Sequence, residues 1–344
     1  MLETLQIVWF ILWALLWAVY FVLDGFDLGL GSLLPCLGKT EEERRIMYNA
    51  AGPFWDGNEV WLISAGGVTF AAFPKVYAVM FSALYAPLLL LLFALIFRAV
   101  SFEFRGKVES AAWRGFWDIV HFISNLVPSI LLGVAFANLF MGIHVDAQGV
   151  YYGGLISLLN LYGLAGGIFF LVMFMQHGAL WLAIKSEGDL QLRALATASL
   201  LWPIMLFLLL VFLGLTAKFT RLFDNYFAQP ALFLLPLLAL AGLVGVRIML
   251  RDGRLWLAWA CSGLFIVGVT FFGVAGMFPG MIISSLDPAA TLTAYNASSS
   301  ELTLKIMLGV ALVMVPIVLI YQAWAYHLFR KPVTGEDLKD DHAY

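Results

Sequence analysis

The sequence predicts an all-α membrane protein, a bundle of nine transmembrane helices with the N-terminus outside and the C-terminus cytoplasmic. The 344 residues are 62% hydrophobic and only 12% charged, and the mean hydropathy of +0.93 is far above that of a soluble domain. Long stretches lack Asp, Glu, Lys and Arg, and the basic residues between them gather on one side. We expect residues 1–344 to form a single polytopic transmembrane domain.

The charge-free stretches define the predicted helices. A helix needs about 20 apolar residues to cross the hydrocarbon core of a bilayer. Ten stretches occur, and the first two join across "DGFD" into one helix over roughly residues 5–34. The other eight give one span each: 60–74, 76–97, 119–145, 147–184, 194–217, 225–246, 255–286 and 306–329.

The charges of the loops support the count of nine. Nine alternating spans place 15 of the 19 Lys and Arg residues on one side of the membrane and only Lys75, Lys218, Arg221 and Lys305 on the other. If residues 60–97 made a single pass, the split would be 12 against 6, with Lys75 inside the membrane. The positive-inside rule therefore favours nine spans and a cytoplasmic C-terminus.

Two pairs of acidic residues interrupt the apolar pattern. Asp24 and Asp27 lie near the cytoplasmic end of the first predicted helix, and Asp56 and Glu59 lie near the start of the second. The i, i+3 spacing puts both members of each pair on one helical face, and the topology brings the pairs to one depth. Acids within a membrane tend to face protein or water, and neighbouring carboxylates favour proton binding. The four acids are therefore predicted to bind and pass protons.

A purely structural role is the alternative for these acids. Asp56 as the N-cap residue and Glu59 at position N3 would resemble a capping box with Asp in place of Ser or Thr. The glycines of "DGFDLGLG", Gly25, Gly29 and Gly31, would then serve close helix packing.

The other polar residues of the helices predict no metal site. His121 and His177 lie toward the cytoplasmic ends of their helices and could meet as a bis-histidine haem pair, but a lone histidine is more often a hydrogen-bonded interior residue. Asp118 lies three residues before His121 on the same face, and we expect the two to pair. Arg98 is predicted to end a helix, as a cytoplasmic anchor or as the counter-charge of an acid.

Several stretches resemble one known family. "DGFDLG" (24–29) and "ERRIMYNAAGPFWDGNEVWLISAGGVTFAAFPKVYA" (43–78), followed by "MFP" (277–279) and "SELTLKIM" (300–307), are similar to subunit II of the cytochrome bd quinol oxidases. The similarity extends over essentially the whole chain. It implies a subunit of a terminal oxidase in the bacterial cytoplasmic (inner) membrane, which oxidises quinol and reduces dioxygen to water.

The resemblance also implies cofactors and partners. The b-type and d-type haems are expected in subunit I, against which this chain would pack, so the chain itself should contribute neither a catalytic residue nor a haem ligand. Some members hold a structural quinone in a groove of this subunit, and a small single-helix subunit is a further candidate partner. Membrane lipid is expected around the chain, and no nucleic acid.

By motif, the proton path of the family falls on Asp24, Asp27 and Asp56, with Trp61 lining the route from the cytoplasm to the haem site. Glu59 occupies a position where some members have Gln, which weakens the correspondence there.

Two other functions are open. A proton-coupled secondary transporter would use the same acids but should show inverted repeats, which the sequence does not clearly show. A membrane scaffold would use the acids only as caps.

Overall fold

The fold is all-α, as predicted. The computed structural model describes residues 1–339 and Tyr344. The α-helices of the described residues are, in chain order, α1 (Leu2–Leu37), α2 (Glu41–Ala51), α3 (Trp55–Ala72), α4 (Pro74–Ala83), α5 (Tyr85–Phe104), α6 (Ala111–Met141), α7 (Leu155–Leu158), α8 (Leu161–Lys185), α9 (Gly188–Phe219), α10 (Leu222–Ala228), α11 (Leu234–Arg251), α12 (Leu255–Met277) and α13 (Glu301–Leu328). Two short antiparallel strands, β1 (Gly280–Ile282) and β2 (Leu292–Thr293), lie between α12 and α13.

Eight helices of the described residues are long and apolar enough to cross a membrane: α1, α5, α6, α8, α9, α11, α12 and α13. The ninth predicted span corresponds to α3, whose 18 residues extend about 27 Å at 1.5 Å per residue. It still runs from one end of the bundle to the other, since Ser299 binds the carbonyl oxygens of Ala71 and Ala72 at its far end. The number of membrane crossings stays a prediction.

The helix α1 forms the centre of the bundle. It packs against α3, α6, α8 and α12, and it runs without a break across the acidic residues, as predicted. Its buried aromatic side chains include Trp13, Trp17, Tyr20 and Phe21. A Cβ atom at Gly29 would lie 1.7 Å from the carbonyl oxygen of Phe174 in α8, so the two backbones touch there. The packing role predicted for the glycines of "DGFDLGLG" is confirmed.

The structure divides the predicted helix over residues 76–97 into two helices and extends the second one. The chain forms α4 and then α5, which meet at Leu84, and α5 continues to Phe104. The prediction ended the helix at Arg98 because it treated every charge as a membrane boundary. Arg98 is fully buried in an ion pair, so its charge lies inside the helix.

The loops gather at two ends of the bundle. At the sheet end, Gln6 near the start of α1 donates hydrogen bonds to the carbonyl oxygen of Tyr295 (3.1 Å) and to Oγ of Ser298 (2.7 Å). Ile143, just after α6, pairs with Ser284 beside the small sheet.

The opposite end, here called the α2 end, holds α2, the turn after α8 and the residues that follow α13. The backbone N–H of Val333 donates to the carbonyl oxygen of Lys185 at 2.8 Å. Arg45 of α2 donates to the carbonyl oxygens of Leu338 (2.8 Å) and Tyr344 (3.0 Å). The two chain ends therefore lie at opposite ends of the bundle.

Candidate functional site

A buried ion cluster lies toward the α2 end, where α1, α3 and α5 meet. Nη2 of Arg98 in α5 is 2.5 Å from Oδ1 of Asp24 in α1 and 3.4 Å from Oε2 of Glu59 in α3. The side chains of Arg98 and Asp24 are fully buried, and that of Glu59 is 22% exposed. One member of each predicted acidic pair therefore contacts Arg98, which serves as the counter-charge between Asp24 and Glu59.

Asp27 follows Asp24 by one helical turn and is held by a different partner. Nδ2 of Asn58 in α3 donates to Oδ2 of Asp27 at 2.8 Å and to the carbonyl oxygen of Leu23 at 3.1 Å. Oδ1 of Asn58 accepts a hydrogen bond from the hydroxyl of Tyr326 in α13 at 2.9 Å. Asn58 thus joins α1, α3 and α13. The sequence reasoning missed both Asn58 and Tyr326.

Asp56 occupies the solvent-exposed start of α3. Its Oδ1 accepts a hydrogen bond from the backbone N–H of Gly57 at 2.7 Å, and among the described residues no hydrogen bond or ion pair joins it to Arg98. Side-chain exposure therefore falls from Asp56 through Glu59 to Asp24, from the surface of the chain to its interior.

Trp61 lies one turn after Asn58 on the buried face of α3. Its Nε1 donates to Oε1 of Gln322 in α13 at 3.0 Å. Nε2 of Gln322 in turn donates to the carbonyl oxygen of Gly57 at 3.3 Å. Trp61 therefore helps to fix α13 against the first turns of α3, beside the acids.

The capping interpretation of Asp56 and Glu59 is wrong. The helix α3 begins at Trp55 with Phe54 as its N-cap residue, and no side chain caps it. Asp56 therefore lies inside the first turn. Glu59 contacts Arg98 instead of a backbone amide.

A capping box does form at the start of α2, where sequence reasoning did not place one. Oγ1 of Thr40 accepts from the backbone N–H of Glu43 at 3.2 Å, and Oε2 of Glu43 accepts from the backbone N–H of Thr40 at 3.1 Å. Burial acts to raise the pKa of Glu43, but hydrogen bonds from Arg193, Lys39 and Thr40 outweigh it and hold the pKa below its ordinary value.

Four buried polar atoms of the cluster have no hydrogen-bond partner among the described residues: Oδ2 of Asp24, Oδ1 of Asp27, and Nε and Nη1 of Arg98. Buried polar atoms are costly unless they are paired, and ordered water often supplies the partner that protein does not. One buried carboxylate and one partly exposed carboxylate contact a single guanidinium, and a second buried carboxylate lies one helical turn away on α1. This arrangement is suited to holding water and exchanging protons.

The two buried histidines sit in hydrogen-bonded interior positions. Nδ1 of His121 lies 2.8 Å from Oγ of Ser101. Nδ1 of His177 lies 3.0 Å from Oγ of Ser262, and its Nε2 lies 3.0 Å from the carbonyl oxygen of Val22. Both ring nitrogens of His177 are engaged within the protein, so the bis-histidine haem pair is not formed.

The predicted pairing of Asp118 with His121 is also wrong. Asp118 instead accepts from Nε of Arg105 at 2.6 Å and from Nη1 of Arg44 at 2.9 Å. The i, i+3 spacing brought the two residues to one face of α6, but two arginines from other elements compete for the carboxylate.

The remainder of the described chain contains apolar cavities but no metal-binding cluster. Within residues 1–339 and Tyr344, no three His, Cys, Asp or Glu side chains lie close enough together to hold a metal ion. A cavity of about 340 Å³ is bounded by aromatic and aliphatic side chains, among them Phe21, Phe136, Phe140, Phe169 and Phe170. Such walls suit an apolar ligand.

Comparisons with known proteins all point to the same family. The model of the family described as cytochrome bd terminal oxidase subunit II matches residues 5–329. The cytochrome bd ubiquinol oxidase subunit 2 of Bacillus subtilis is 37% identical, covering 98% of this chain and 99% of that protein. The cytochrome bd-I ubiquinol oxidase subunit 2 of Escherichia coli is also 37% identical, covering 98% and 97%. A chain of the bd oxidase from Geobacillus thermodenitrificans has the same fold, with a TM-score of 0.79 at 16% identity, covering 95% and 98%.

Proposed function

The chain belongs to the cytochrome bd terminal oxidase subunit II family, and from that premise we propose that it supports a haem-bearing subunit I and supplies the complex with a path for protons. The complex is a quinol:oxygen oxidoreductase of the bacterial cytoplasmic membrane. Reduction of dioxygen to water consumes protons, so such an enzyme needs a route by which protons reach the haem site.

The ion cluster around Arg98 carries this proposal. Protons from water would first meet Asp56, which is exposed, and then Glu59, whose side chain is 22% exposed. Arg98 contacts both Glu59 and Asp24, so the half-buried and the fully buried carboxylate share one counter-charge. The polar atoms of the cluster without protein partners are suited to bind the water that would connect these groups.

Asp27 and Trp61 complete the proposed route. Asp27 lies one turn from Asp24 on α1 and presents a buried, unpartnered oxygen. Trp61 forms part of the wall between the acids and α13 through its hydrogen bond to Gln322. In this role Trp61 excludes lipid from the route and does not itself carry protons.

We also propose nine membrane crossings for residues 1–344 as one domain, with α3 as the short one. The α2 end would then face the cytoplasm and the sheet end would face outside. This orientation puts 14 of the 15 basic residues of the larger group on the cytoplasmic side, while Arg98 is buried inside the bundle. It also puts Asp56 on the side from which protons are taken.

The haems of the complex are expected in subunit I, and a small single-helix subunit stays a prediction. The apolar cavity fits the isoprenoid tail of a structural quinone in chemistry, because its walls are aromatic and aliphatic. The chain would shield that tail from water.

The alternative of a free-standing proton-coupled transporter is not favoured, since the matched relatives are oxidase subunits.

The test is oxygen consumption and proton uptake by the complex purified from native membranes, normalised to haem content. Asp24→Asn and Asp27→Asn should slow both processes, whereas Asp224→Asn, an exposed acid at the sheet end, should leave them unchanged. Wild-type rates in fully assembled Asp24→Asn and Asp27→Asn complexes would refute the proton path. Failure to co-purify with a haem-bearing partner would refute the role as an oxidase subunit.

A further inference from the structure

Asn58 is buried between three helices and uses both polar atoms of its side chain. It is 1% exposed. Its Nδ2 donates to Oδ2 of Asp27 and to the carbonyl oxygen of Leu23, and its Oδ1 accepts from the hydroxyl of Tyr326.

Only an amide can make this set of contacts. The side-chain amide offers two N–H donors on one atom and an acceptor on the other. An aspartate at position 58 would set a second acceptor against the Asp27 carboxylate, and a leucine of similar size would offer neither function. The residue type at position 58 is therefore matched to the carboxylate on one side and to a hydroxyl donor on the other.

Tyr326 contacts the acceptor side of that amide. The Asp27 carboxylate and the Leu23 carbonyl are acceptors that face the amide nitrogen, and the hydroxyl of Tyr326 donates its hydrogen to Oδ1 on the other side. The ring of Tyr326 cannot move freely, because its centroid lies 4.5 Å from that of Phe54 and 5.8 Å from that of Trp181. Gln322, one turn earlier on α13, holds the same turns of α3.

The two oxygens of Asp27 are thereby made different. Oδ2 accepts the hydrogen bond from Asn58, whereas Oδ1 is buried without a partner among the described residues. We propose that Asn58 is a positioning residue for proton transfer: it holds Oδ2, so that Oδ1 is the oxygen of Asp27 that gains and releases protons, and Tyr326 orients Asn58 for this task. The proposal rests on the proton-path function proposed above for Asp27.

The experiment compares Asn58→Leu and Tyr326→Phe in the purified complex. The matched control is Tyr321→Phe, which removes a hydroxyl from the same helix at a position that is 63% exposed. Infrared difference spectra report the carboxyl band of Asp27, which is identified by its loss in Asp27→Asn. Oxygen consumption is measured on the same samples and normalised to haem content.

We expect the Asp27 band to shift in both Asn58→Leu and Tyr326→Phe and to stay in place in Tyr321→Phe. Oxygen consumption should fall about two- to fivefold in Tyr326→Phe, because one buried hydrogen bond is lost. It should fall about tenfold in Asn58→Leu, because the hydrogen-bond donor to a buried acid is lost. If Asn58→Leu does not assemble, the milder Tyr326→Phe decides.

The outcomes separate this proposal from the one on which it rests. An Asp27 band that is unchanged in Tyr326→Phe and in any assembled Asn58→Leu complex overturns the positioning role. A further outcome is that the Asp27 band shifts in Tyr326→Phe while the Asp27→Asn variant consumes oxygen at the wild-type rate. That pair of results supports the positioning of Asp27 by Asn58 and refutes the proton path.

Discussion

Nη2 of Arg98 lies 2.5 Å from Oδ1 of Asp24, and both side chains are completely buried. Two charges taken out of water lose their hydration, and their attraction repays that cost only while both are present. Removal of one partner leaves an uncompensated buried charge, whereas removal of both leaves only the partly exposed Glu59 without its counter-charge. The effect of this ion pair on the stability of the complex can therefore be measured separately from any role in proton transfer.

Arg98→Gln should destabilise the assembled complex more than Asp24→Asn does. Arg98→Gln leaves Asp24 without a counter-charge, with an expected cost of about 3–5 kcal/mol. Asp24→Asn costs less, because Arg98 keeps Glu59 at 3.4 Å. The thermal midpoint in detergent and the yield of haem-containing complex measure both effects. The double variant should recover part of the loss, and an Arg98→Gln complex as stable as wild type would contradict the pair's structural importance.

Asp56→Asn should slow oxygen reduction while haem content and stability survive. The residue is exposed, so its substitution should change stability by no more than about 0.5 kcal/mol. Water can partly bypass an exposed proton acceptor, so we expect a loss of about tenfold or less, smaller than for a buried acid–base group. The measurement is the oxygen consumption of intact complex, with the exposed Asp252→Asn as control. Equal rates in Asp56→Asn and wild type would exclude Asp56 as the entrance.

Gly29→Ala should weaken the contact between α1 and α8. The new Cβ atom would fall 1.7 Å from a backbone oxygen, so the helices must separate, and overpacking of this kind costs at least about 1–3 kcal/mol. Thermal unfolding of the complex reports the change. Gly214→Ala in α9 is the control, because a Cβ atom there meets nothing within 4 Å. Equal midpoints for the two variants would show that the close approach is not needed.

The Glu43 capping box should make stability depend on pH. The pKa of Glu43 is lower in the folded protein than its ordinary value of 4.5, so its contribution is present above that value and is lost as pH falls through the folded pKa. Gln at position 43 can keep the capping hydrogen bond but not the ion pair with Arg193. Glu43→Gln should therefore lower stability by up to about 1 kcal/mol at pH 7, with a gap that closes below about pH 4.5. Thermal midpoints across pH test this, with the exposed Glu42→Gln as control. A gap that is constant with pH would contradict the ionic contribution.

The sequence predicts the helices well because a membrane demands long apolar segments. It also brings the acids of α1 and α3 together, since loop charges alone assign both pairs to one end. It places the end of α5 too early, because Arg98 looks like a boundary until its buried partner is known. A charge in a membrane helix is a boundary only when nothing inside the protein neutralises it.

The contacts around Asp27 lie beyond what local patterns can predict. Asn58 and Tyr326 are 268 residues apart in sequence, and neither breaks the pattern of its own helix. The capping box is different, since Thr40 and Glu43 have the spacing of that motif and could have been found from the sequence. The acidic pair at the start of α3 has the same spacing, but α3 begins two residues too early for Asp56 to cap it.

The position of α13 has a consequence for biosynthesis. Leu304 is its only buried residue within the described chain, and the hydrogen bonds of Gln322 and Tyr326 attach it to α3. Among the described helices α13 is the last in the chain, so Asn58 gains its tyrosine partner only after the other described helices have been translated. The proposed route for protons would therefore be completed late in the maturation of the chain.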